Sequence, residues 1–106
     1  MRALFICGKA RMRSPTAADV AATLPGVQSD FAGVSNDADE RVSLDQVEWA
    51  DAIFVMEARQ RQRLTALFPQ ALRGKRVVVL NIPDRYAYGE PALVGRLRPL
   101  LLDYLS

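Results

Sequence analysis

Cys7 is the only cysteine of the chain, and Arg13 and Ser14 follow it after the five residues Gly8-Lys9-Ala10-Arg11-Met12. Those residue types at that spacing suit phosphoryl transfer. A cysteine attacks phosphorus as a thiolate, and an arginine grips two phosphoryl oxygens with a planar fork that lysine lacks. A neighbouring serine hydroxyl can hydrogen-bond the sulfur. A lone cysteine is more often a small buried hydrophobe, so the arginine, the serine and the local structure around them favour a site over mere packing.

These residues need particular elements to position them. The apolar run Leu4-Phe5-Ile6 leads into Cys7 and reads as a strand, while Ser14-Pro15 reads as an N-cap followed by proline at the first helical position. A tight loop between a strand end and a helix start turns its backbone N–H groups inward, and the helix dipole adds positive potential there. Gly8, Lys9, Ala10, Arg11, Met12, Arg13 and Ser14 are therefore expected to cradle a phosphate-like oxyanion over Cys7. Whether Lys9 and Arg11 face the anion or the solvent is open at this level.

The run Cys-x5-Arg-Ser-Pro-Thr-Ala after an apolar strand resembles the phosphate loop of the low-molecular-weight protein tyrosine phosphatases. That family usually carries Gly and Asn at the third and fourth loop positions, and often a second cysteine beside the arginine; here Lys9, Ala10 and Met12 stand there. The resemblance implies hydrolysis of phosphotyrosine or other aryl phosphates through a phosphocysteine, with no metal and no cofactor. Its partners would be a phosphorylated protein or small aryl phosphate, and inorganic phosphate. Asp84 falls where the family keeps its general acid, although Arg85-Tyr86 follows it where Pro-Tyr is usual. Such a group protonates the departing oxygen and later activates water. A loop aspartate forming an Asx-turn is the plainer reading of Asp84, and Glu90 is a reserve for the acid. Tyr86 and Tyr88 line the mouth or pack the loop, while Trp49 reads as core.

Two other functions fit the same loop. Arsenate reduction uses it in related proteins, and with a single cysteine it would need an external thiol to resolve the intermediate. A phosphate-binding protein with weak or no catalysis is suggested by Ala10, since a phosphate loop relies on internal bonds to hold its shape.

The 106 residues have room for one core. With 14 basic and 12 acidic residues the net charge is only +2, too small to argue for nucleic acid or a membrane surface. The absence of histidine and of clustered thiols argues against a zinc site. No apolar run reaches the roughly 20 residues of a membrane span, and the first residues lead straight into a strand, so a cytoplasmic location is expected.

Apolar periodicity supplies the remaining elements. Residues 2–6 form a strand, and a helix follows from Ser14 to about Leu24 with a stripe of Ala17, Val20, Ala21 and Leu24. Residues 27–34 form a weaker strand, residues 35–41 a solvated acidic loop, and Ser43-Leu44-Asp45-Gln46 a capping box opening a short helix to Trp49. Residues 51–56 form a strand, and an amphipathic helix from Glu57 directs Leu64, Leu67 and Phe68 inward and Arg59, Arg61 and Arg63 to solvent. Val77-Val78-Val79-Leu80 reads as an interior strand, and Leu93, Leu97, Leu100, Leu101 and Tyr104 as a last helix that Pro99 kinks or restarts. This alternation predicts a single-domain α/β fold, a four-stranded parallel sheet with helices on both faces and a phosphate loop after the first strand.

Overall fold

The computed structural model describes residues 1–105. Its four strands are β1 (Arg2–Cys7), β2 (Gln28–Gly33), β3 (Ala52–Val55) and β4 (Arg76–Val79). They form one all-parallel sheet in the order β2-β1-β3-β4. The helices are α1 (Arg13–Ala22), α2 (Leu44–Trp49), α3 (Ala58–Leu67) and α4 (Pro91–Leu105).

The period-two alternation of β1 divides the core. Ala3, Phe5 and Cys7 turn to one face, where they meet Ala17, Val20 and Ala21 of α1 and Leu93, Leu97 and Leu101 of α4. Phe5 stacks on Phe54 with ring centroids 5.2 Å apart. Leu4 and Ile6 turn to the other face, onto Val47 of α2 and Leu64 of α3, with Trp49, Leu67 and Phe68 packed around them. Burying each such side chain contributes about 1.5–3 kcal/mol, which is why the apolar spacing selects the faces so firmly. The small residues of α1 let that helix lie close to the sheet and to α4.

Three expectations need correction. The first helix starts at Arg13, with Met12 in the cap position and no side-chain cap, so Ser14 lies within the first turn and Pro15 just behind it. The helix can still accept Pro15, because first-turn N–H groups have no helical partner. The last strand lies at the sheet edge, with Val78 packed on one core and Val77 and Val79 on the other. Its continuous β-branched run thus reflects coverage on both faces, which an edge strand under α3 and α4 also receives. Pro99 does not restart α4, which runs unbroken around it. The bond it cannot make would reach the carbonyl of Gly95, and both residues are exposed, so that oxygen is not enclosed in the core.

The capping box at α2 forms as expected: Gln46 N–H donates to Ser43 Oγ at 3.2 Å, and Ser43 N–H donates to Gln46 Oε1 at 3.0 Å. The connection from β1 to β2 leaves on one side and the connection to β3 on the other, so the crevice where the sheet order reverses opens beyond the carboxyl ends of β1 and β3. Cys7 ends β1 there, and Glu57 follows β3 two residues past its end.

Candidate active site

The loop after β1 is held from behind by the loop after β2. The carbonyl of Cys7 accepts from Val34 N–H at 3.1 Å, that of Gly8 from Ser35 N–H at 3.0 Å, and that of Lys9 from Asp39 N–H at 2.9 Å. In a planar trans peptide the C=O and the next N–H point in opposite directions. The N–H groups of Gly8, Lys9 and Ala10 are thereby turned away from that support, and among the described residues those of Gly8 through Met12 donate to no protein acceptor. A concave set of free N–H donors at a helix N-terminus is an anion cradle.

Two ion pairs complete the support. Arg11 Nε donates to Asp39 Oδ2 at 2.9 Å, and Lys9 Nζ lies 3.3 Å from Asp37 Oδ2. Both cations are therefore engaged by the loop after β2, and the acidic stretch 35–41, expected to be merely solvated, braces the loop after β1. Asp37 is held below the ordinary aspartate range by the Ser35 hydroxyl and then Lys9.

Two backbone features bring the strands this close. A Cβ on Gly33 would stand 2.4 Å from the Gly8 carbonyl oxygen and 3.0 Å from Ala10 N, so only glycine fits beside the cradle. Ala10 adopts φ 60°, the left-handed region, at a cost of about 1–2 kcal/mol relative to a right-handed residue. Asparagine tolerates that region better.

Cys7 Sγ lies 3.0 Å from Ser14 Oγ, the contact expected from their spacing. Arg13 is only 3% exposed. Its Nη1 donates to Glu57 Oε1 at 2.5 Å and to the Ile82 carbonyl at 2.7 Å. The Nε lies 3.8 Å from Asp84 Oδ1, and Nη2 is left without a protein partner among the described residues. One corner of the guanidinium is thus fixed while another stays available for an oxyanion. Glu57 is pulled below the ordinary carboxylate range, chiefly by the hydrogen bond from Arg13 and, to a smaller extent, by Arg59.

Cys7, Gly8, Lys9, Arg11, Met12, Arg13 and Asp84 share the wall of one pocket of about 690 Å³, within the range of small-molecule sites. Ala10 and Ser14 shape the loop from behind, being buried. Asp84 is 63% exposed and stands at the mouth. Its loop is tied to α1 by Gly89 N–H to Thr16 Oγ1 at 2.9 Å and by the Tyr88 hydroxyl to Asp19, and to α4 by Arg96 to the Asn81 carbonyl at 3.1 Å. Tyr86 packs on the core and Tyr88 on α1, so neither lines the pocket. Glu90 instead accepts from Ala87 N–H at 3.3 Å beside the start of α4, away from the pocket.

Residue types alone did not point to Glu57, Gln60, Asp37 or Asp39. Gln60 is 2% exposed, its Oε1 accepts from Met56 and Glu57 N–H at 2.9 and 3.0 Å, and its Nε2 has no partner. One signal was available: Glu57 follows an apolar strand as Cys7 does, so a switch point between those strands would bring both to the same crevice. Arg59 and Arg63, read as facing only solvent, line the pocket too.

No protein-family model matches the sequence, and no curated protein does. Solved structures match over nearly the whole chain. Vibrio vulnificus Wzb, in complex with benzylphosphonate, superposes with a TM-score of 0.79 at 22% identity, covering 97% of this chain and 95% of that one. The low-molecular-weight protein tyrosine phosphatase SP-PTP of Streptococcus pyogenes gives 0.80 at 13% identity, covering 98% and 90%. The YwlE arginine phosphatase of Geobacillus stearothermophilus gives 0.68 at 21% identity, covering 97% and 94%. The fold is therefore that of the low-molecular-weight protein tyrosine phosphatases, as the loop motif implied.

Proposed function

We propose that the chain is a cysteine-dependent phosphomonoesterase acting on phosphotyrosine or a comparable aryl phosphate. The observation that carries this reading is the convergence of Cys7, the half-engaged Arg13 fork and Asp84 on one pocket floored by free N–H donors. The phosphoryl oxygens take the N–H groups of the loop and the free side of Arg13. Cys7 Sγ then attacks phosphorus while the P–O bond to the leaving group breaks, and Asp84 gives its proton to the departing oxygen. In the second half the Asp84 carboxylate takes a proton from water, the water oxygen attacks phosphorus, and the S–P bond breaks to release phosphate and the thiolate. Ser14 Oγ, 3.0 Å from the sulfur, is placed to donate to it as the S–P bond breaks.

An aryl leaving group fits better than the guanidinium of a phosphoarginine. Arg59 and Arg63 line the pocket beside the cradle and would repel a cationic leaving group. A reducing, cytoplasmic setting would keep the single cysteine competent.

A phosphate-binding protein with little turnover is the second reading, favoured by Ala10 at φ 60°, where strain in the cradle is not relieved by a side-chain hydrogen bond. Hydrolysis of p-nitrophenyl phosphate by the wild type and Cys7→Ser separates the two. The enzyme reading expects turnover in the wild type alone, with vanadate bound by both. Vanadate binding without wild-type hydrolysis selects the binding protein.

A further inference from the structure

The pocket has a wall that phosphoryl transfer leaves unused. Asn36, from the loop after β2, and Arg59 and Arg63, from the first two turns of α3, line it together with Cys7. Arg59 and Arg63 are four residues apart on a helix and so project from the same side. Both are exposed, Arg59 by 69%, which sets them at the mouth, where a substrate continues past its phosphoryl group.

The ion pairs around this pocket are not evenly shared. Lys9 has Asp37, Arg11 has Asp39, and Arg13 has Glu57 at 2.5 Å and Asp84 at 3.8 Å. Arg59 reaches the same Glu57 oxygen at 3.1 Å, so one carboxylate serves two guanidinium groups. Among the described residues Arg63 has no carboxylate within 4.0 Å; its Nη2 donates at 3.2 Å to Asn36 Oδ1, a neutral amide oxygen that steadies the side chain without cancelling its charge. The α3 wall therefore carries surplus positive charge in a concave setting, where fields concentrate.

Building on the phosphatase reading, we propose that Arg63, with Arg59 beside it, forms a subsite for a second anionic group, and that the substrate is a phosphorylated peptide with a carboxylate next to the phosphoresidue. Guanidinium and carboxylate match in shape as well as sign. At a solvated rim their attraction acts mainly on encounter, so it belongs in kcat/KM and weakens as salt is raised. A lysine in the same place on the peptide meets like charge.

Three phosphotyrosine peptides that differ only in Asp, Asn or Lys beside the phosphoresidue test this, with kcat/KM measured at low and high salt for the wild type, Arg63→Gln and Arg63→Glu. The wild type is expected to favour the Asp peptide over the Asn peptide by about threefold to fivefold at low salt, and less at high salt. Arg63→Gln brings that ratio close to one, and Arg63→Glu inverts the order in favour of Lys. Each ratio is taken within one protein, so a poorly folded variant lowers all three peptides alike and leaves the ratio readable. A flat wild-type series, or a preference that Arg63→Glu leaves in place, overturns the subsite. Cys7-dependent hydrolysis of p-nitrophenyl phosphate is the separate control: if it is present while the peptide series is flat, only the subsite falls, and if it is absent, the phosphatase reading falls and takes the subsite with it.

Discussion

Each polar side chain at the pocket has a task set by its neighbours. Arg13 reaches Glu57 and the Ile82 carbonyl through Nη1 alone, which fixes its plane and spares its other donors. Asp84 lies close enough to Arg13 for attraction, 3.8 Å from Nε, yet stays exposed enough to meet a leaving group arriving from solvent. If it protonates that group, its loss matters most where the departing oxygen is a poor leaving group. Asp84→Asn is expected to slow phosphotyrosine hydrolysis by about a hundredfold or more, and p-nitrophenyl phosphate far less, because p-nitrophenolate departs without a proton. Steady-state rates over a series of aryl phosphates with graded phenol acidity check this, and an equal loss across the series removes the acid role from Asp84.

The site rests on two connections between elements: the loop after β2 backs the phosphate loop, and the loop after β4 crosses in front of it. The first depends on Gly33, which pairs with Cys7 in register and leaves no space for a side chain. In Gly33→Ala the new methyl would meet the Gly8 carbonyl oxygen at 2.4 Å and the Ala38 methyl at 2.7 Å, so the phosphate loop itself has to shift. A stability loss of about 2–3 kcal/mol is expected in urea unfolding, together with weaker vanadate binding. Unchanged binding would mean that the loop keeps its shape without this contact. The strand-loop-helix unit was legible from sequence because apolar runs and the Cys-Arg-Ser spacing lie within fourteen residues. The bracing by residues 35–41 was not, since Asp37 and Asp39 meet their partners only once β1 and β2 are paired.

Across the whole molecule, the Arg13–Glu57 pair joins α1 to the end of β3 at the point where the sheet order reverses. Because Arg13 lowers the pKa of Glu57 from its ordinary value of 4.5, the folded state binds that proton less readily than the unfolded chain. The resulting stability is fully present above about pH 4.5 and is lost as pH falls through the lowered value. The stability gap between wild type and Glu57→Gln should therefore be constant near neutrality and shrink in acid. Urea denaturation midpoints at a series of pH values measure it, and a gap that persists after acidification would show that Glu57 acts through shape and not through charge.

At this same scale the division between chain and fold is plain. Local order alone determined the α/β alternation and the two-faced burial of β1, because strand and helix periods convert spacing directly into direction. Strand order, the edge position of β4, the pairing of Lys9 and Arg11 with Asp37 and Asp39, the meeting of Glu57 with Arg13, and the arrival of Arg59 and Arg63 at the pocket were decided only by tertiary structure. Each of those features joins residues from separate elements, and no local period records which strand ends will become neighbours.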